Sequence, residues 1–157
     1  MRPKSFQRTV QISRKILTVG GTLLVFGALS PDTMLAMPPA AESLMREYYQ
    51  GAKALDPNFK AFSAAAGRAL YTKERMHSKE KNSRSCATCH TPDPKFQGKT
   101  LAGKSIDPLS PLVNPKRLTE EREIRKWFFR NCNQVLERDC TPVEKGNFLQ
   151  YLFSTST

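Results

Sequence analysis

Residues 86–90 read Cys86-Ala87-Thr88-Cys89-His90, and no other stretch of the 157-residue chain limits its fold as much. Two thiols separated by two residues, with an imidazole directly after the second, form the C-x-x-C-H signature of c-type haem attachment. The spacing has a chemical reason. The thiols add to the two vinyl groups on one edge of a porphyrin, and the following imidazole is then held under the iron. A chain with this anchor must wrap a flat macrocycle, because a protein acts on haem iron through axial ligands, their surroundings and burial. Other readings of the pair are weaker. A thioredoxin-like dithiol expects a βαβ pattern around it, and none is visible. Half of a zinc site needs a second pair, and Cys132 and Cys140 have seven residues between them, which is poor knuckle spacing.

The chain ahead of the motif reads as an export signal. Arg2, Lys4, Arg8, Arg14 and Lys15 form a positive stretch without acids, and residues 16–29 are apolar or small throughout. That run is shorter than the roughly 20 residues of a comfortable membrane span. The expectation is a signal peptide over residues 1–36, a monohaem domain over 37–157 and a periplasmic location. The cleavage site is weak, with Met34 two positions before Ala36, so membrane association through a retained N-terminal anchor is the alternative. Residues 1–36 carry five basic residues and Asp32, so their removal lowers the net charge from +11 to +7. This excess steers encounter with acidic surfaces, and a redox partner protein with an acidic face, such as another cytochrome, is expected. Nucleic acid is not, since the basic residues are dispersed and no DNA-binding motif is present.

Helices are expected over 42–55, where Leu44, Tyr48, Ala52 and Leu55 recur at intervals of four or three, and over 58–75, with Phe62, Ala65, Ala66, Ala69 and Leu70 as the apolar stripe. A third runs over 120–130, capped by Thr119. A last one starts at Thr141-Pro142-Val143-Glu144, a capping box with proline at the first helical position. Five prolines between 92 and 115 make residues 91–118 a wrapping loop rather than a long helix. No strand is convincing, so the fold class is all-α. Cys132 and Cys140, left over in an exported chain, read as a disulfide worth roughly 2–3 kcal/mol; two free thiols are the alternative.

The sixth iron ligand is less obvious. Methionine, the usual choice, is supplied after the motif, but Met1, Met34, Met37, Met45 and Met76 all precede Cys86. His77, the other histidine, lies in the charged stretch 73–85. It reads as a solvated loop residue or, in a rival reading, as the second firm ligand of a pure electron carrier. Asn131 lies near an expected helix end, where asparagine is common.

The run RNCNQVLERDCTPVEK, residues 130–145, closely resembles the oxygen-binding monohaem cytochromes c called SHP. The agreement extends to Lys126-Trp127, to GKSIDPLSP in the wrapping loop, to Gly67-Arg68-Ala69-Leu70 and to the haem motif. It covers most of residues 42–153. The resemblance implies a class I cytochrome c fold wrapped around one covalent haem c, with His90 and Asn131 as axial ligands and Cys132 joined to Cys140. It implies electron transfer and, in the ferrous state, binding of a small diatomic ligand (O2, NO or CO) after Asn131 lets go. Chemistry agrees, since a carboxamide is a weak, hard donor better matched to ferric than to ferrous iron. Residues 73–85 and the export segment depart from the family, so the pairing of His90 with His77 stays open. Trp127 shares a helix face with Asn131, and Arg130 is a candidate partner for a haem propionate. No acid–base constellation beyond the haem is legible, so an enzyme such as a reductase or oxygenase is not favoured.

Overall fold

The computed structural model describes residues 37–154. Residues 1–36, where the export segment is expected, lie outside the described residues. Helix α1 (Pro39–Leu55) opens with proline at its first turn, where a missing N–H costs nothing. It buries Ala41, Leu44, Tyr48 and Ala52, one face at helical spacing. Helix α2 (Ala64–Thr72) is shorter than expected. Ser63 caps it, its hydroxyl accepting from the Ala66 amide at 3.1 Å, so Phe59 and Phe62 stay ahead of the helix. Its buried residues are Gly67 and Tyr71, whereas Ala65, Ala66 and Ala69 are exposed. The apolar stripe expected for this segment is therefore rotated. Gly67 explains the rotation: a Cβ there would sit 1.9 Å from the Asn147 carbonyl oxygen, so only the glycine lets the two backbones meet.

Residues 73–85 form a short antiparallel ladder of β1 (Arg75–Met76) and β2 (Ser83–Arg84). Helix α3 (Ala87–His90) carries the haem motif. A second ladder, β3 (Gly98–Lys99) with β4 (Ser105–Ile106), stiffens the wrapping loop. Two-residue strands leave no alternating pattern to read, and they do not alter the all-α class.

Helix α4 (Glu121–Leu136) runs past 130 and stops at Glu137, which takes the left-handed conformation at φ 56°. Its N-cap is Glu120, not Thr119; the Thr119 hydroxyl donates instead to the Lys116 carbonyl at 3.1 Å. Asn131 consequently lies inside a helix rather than at its end. Helix α5 (Pro142–Phe153) begins with the capping box: the Glu144 amide donates to Thr141 Oγ1 at 3.2 Å, and the Thr141 amide donates to the Glu144 carboxylate at 2.8 Å.

The core joins Ala41, Leu44 and Tyr48 of α1 to Ile124 of α4 and to Leu149 and Phe153 of α5. Arg125 of α4 donates to the Glu47 carboxylate of α1 at 2.7 Å, and this bond holds the Glu47 carboxyl below its ordinary range. The Sγ atoms of Cys132 and Cys140 are bonded, with Cα atoms 5.6 Å apart, fastening the end of α4 to the start of α5. Among the described residues no helix is long and apolar enough to cross a membrane.

Candidate functional site

The haem motif folds as one helical turn. The His90 amide donates to the Cys86 carbonyl at 3.1 Å. Ser85 and Thr88 close the turn reciprocally: the Ser85 amide donates to Thr88 Oγ1 at 2.9 Å and the Thr88 amide to Ser85 Oγ at 3.2 Å. A helical turn puts positions i, i+3 and i+4 on one side, which here are Cys86, Cys89 and His90. All three line a cavity of about 810 Å³. The remaining walls are mostly apolar, with Leu70 of α2, Ile106, Leu109 and Leu118 of the wrapping loop, Trp127 and Phe128 of α4 and Phe148 of α5. Asn131 lines the same cavity one turn beyond Trp127.

Electrostatics argue against a reactive thiolate at Cys86. Burial pushes the Cys86 thiol up to about 11, whereas a reactive dithiol needs a lowered value. Burial first, then the positive charge of Arg117, lowers the His90 imidazole. It therefore stays neutral and keeps a lone pair for a metal.

A haem has apolar faces and two carboxylates, and the cavity suits both. Two arginines line it. Arg117 is fixed by donating from Nε to the Pro108 carbonyl at 3.0 Å and from its terminal nitrogen to the Asp107 carbonyl at 2.8 Å. Arg84 is buried and paired with Glu80. Its Nε is the one buried side-chain polar atom among the described residues without a partner. Such a donor calls for an acceptor brought in by a ligand.

Two expectations fail here. His77 is not a solvated loop residue: it is 9% exposed, accepts the Glu80 amide on Nδ1 at 3.3 Å and lies 3.8 Å from the Glu137 carboxylate. The ladder of β1 with β2 holds it there, and it does not line the cavity. Arg130 does not line the cavity either; its guanidinium lies over the Trp127 ring at 5.5 Å. Conversely, sequence reasoning missed Arg84 and Arg117. A basic residue two positions before Cys86 and another closing a proline-rich loop carry no local signal that they face one cavity.

A family described only as a domain of unknown function, DUF1924, matches residues 57–152. Among proteins of known sequence, cytochrome c'' of Methylophilus methylotrophus is 36% identical over 141 residues, which span 89% of this chain and 95% of that one. The c-type cytochrome SHP of Cereibacter sphaeroides is 44% identical over 89 residues, 57% of this chain and 68% of that one. The crystal structure of oxidised cytochrome c'' superposes with a TM-score of 0.69 at 34% identity, over 75% of this chain and 96% of that one. Oxidised SHP, an oxygen-binding cytochrome c, superposes with a TM-score of 0.64 at 37% identity, over 74% and 97%. A solution structure of the same cytochrome c'' that addresses haem-ligand detachment gives 0.66 at 35%, over 74% and 94%.

Proposed function

We propose that this chain, which belongs to the DUF1924 family and is a relative of the c-type cytochromes cytochrome c'' and SHP, with haem c as its covalent cofactor, is an exported monohaem cytochrome with one firm and one releasable axial ligand. Cys86 and Cys89 hold the haem. Each thiol would add across a vinyl group, its S–H bond and the C=C π bond giving a C–S and a C–H bond, with nothing left over. His90 presents its neutral imidazole as the firm ligand. Asn131 presents its carboxamide as the releasable one, held in place by the helix that carries it and by the neighbouring disulfide of Cys132. Arg84 and Arg117 supply cationic donors for the propionates, and Trp127 beside Asn131 limits the entry of water. The bound haem supplies an iron centre that passes single electrons and, when reduced, takes a small diatomic molecule. Oxygen binding in SHP and haem-ligand detachment in cytochrome c'' support this reading.

One observation carries it. His90 and Asn131 line a single cavity, and among the described lining residues His90 is the sole imidazole and no thioether is present. Neither Met76 nor His77 is in that wall. Asn131 would then offer a hard, weak carboxamide opposite a firm imidazole, a donor better matched to ferric than to ferrous iron. The reading includes removal of residues 1–36, a periplasmic location and a redox partner with an acidic face. Absorption spectra of the oxidised holoprotein test the ligand assignment. Asn131→Ala should keep the covalent haem and change the ferric bands, while His77→Ala leaves them in place. A spectral change on His77→Ala alone would instead make the protein an electron carrier ligated by His90 and His77.

A further inference from the structure

Tyr71 is wholly buried on α2. Its ring rests on Phe148 and Tyr151 of α5, with centroids 6.1 and 5.5 Å away. Its hydroxyl donates to the Thr91 carbonyl at 2.6 Å, and the His90 carbonyl lies 3.0 Å from the same oxygen. One phenolic proton is therefore shared between the carbonyl of the imidazole-bearing residue and that of its successor. Thr91 needs such a hold. Its backbone sits at φ 65°, ψ 160°, a region that residues with a Cβ occupy only where their surroundings over-determine it.

Bare backbone also packs against the same turn. A Cβ on Gly98 would lie 2.0 Å from the Cys89 carbonyl oxygen and 3.0 Å from His90 Cα. Strand β3 thus packs directly on the last turn of α3, whose end is also held by a phenol fixed on the helical core. The Tyr71 bonds fall on main-chain carbonyls, so their effect passes through the backbone of His90 and Thr91.

We propose that Tyr71 is a positioning residue for His90: by holding the carbonyls of His90 and Thr91, its hydroxyl sets the direction in which the imidazole faces the haem. The inference rests on His90 being an axial ligand, as in the function proposed above, and does not depend on the identity of the sixth ligand. It concerns orientation, so a loss of stability alone would not support it.

The test uses oxidised holoprotein saturated with cyanide, which makes the sixth ligand the same in every variant. Proton NMR then reads the spread of the hyperfine-shifted haem-methyl signals, which follows the plane of the axial imidazole. Tyr71→Phe should change the order or spacing of these signals. Tyr151→Phe, which removes a hydroxyl from the same aromatic cluster, should leave them as in the wild type. Superimposable methyl patterns in Tyr71→Phe and wild type would overturn the proposal, whatever happens to the melting temperature. If Tyr71→Phe does not mature, Thr91→Gly decides. It frees the strained dihedral while the Tyr71 hydroxyl and both carbonyls stay, so a wild-type pattern supports the hold and a shifted pattern overturns the proposal. Failure of His90 ligation would show differently, as a wild-type adduct without shifted imidazole signals, and would overturn both readings.

Discussion

Glu144 shows how much a single side chain does outside the haem cavity. It accepts two bonds from Arg138, at 2.8 and 2.7 Å, and one from the Thr141 amide. The Arg138 bonds foremost, then the Thr141 amide, hold its carboxyl down at about 2 against the opposing cost of burial. The folded value lies below that of the unfolded chain. The stabilisation is therefore present above the unfolded value, near 4.5, and fades as the pH falls from there toward the folded value. Glu144→Gln should lower the urea midpoint at neutral pH, with the gap to wild type narrowing between about pH 5 and about pH 2. Parallel midpoint curves across that range would show that the carboxylate contributes nothing specific. The same residue anchors the capping box of α5, next to the disulfide that fastens α4.

The contact between α2 and α5 depends on one missing atom. The Cβ of an alanine at 67 would overlap the Asn147 carbonyl at 1.9 Å, and backbone cannot rotate aside as a side chain can. Gly67→Ala should therefore cost about 1–3 kcal/mol, the range for forced overpacking, measured as a lowered denaturant midpoint at unchanged slope. A neutral substitution would mean that the helices pack less closely. Much at this level was readable in the chain. The 3–4 spacing of Leu44, Tyr48 and Ala52 marked α1, and Thr141 with Glu144 marked the start of α5. The i,i+4 relation of Trp127 and Asn131 put both on one face. What escaped was set by tertiary partners. Helix α4 continues past 130 because Cys132 is buried and bonded to Cys140, and α2 turns the face with Gly67 and Tyr71 inward because α5 lies there. The turn of Arg84, Arg117 and His90 toward one cavity joins segments with no common periodicity, and the two short ladders have none of their own.

At the scale of the whole molecule, one helical scaffold brings an anchor from α3 and a carboxamide from α4 to one cavity, and leaves a positive charge on the outside. The charge gives a kinetic expectation. Electron transfer to an acidic partner should slow as salt rises, because screening cuts the electrostatic reach to about 10 Å at 0.1 M. A bimolecular rate indifferent to salt would remove the acidic face from the account. The central claim is that Asn131 releases when the iron is reduced. Its most direct measurement is the absorption spectrum of the dithionite-reduced wild type, followed by stopped-flow mixing with CO. The account predicts a five-coordinate ferrous spectrum and a CO rate that rises in proportion to CO concentration, because no strong bond must break first. A six-coordinate low-spin ferrous spectrum with CO refused, or with a rate independent of CO concentration, would contradict it.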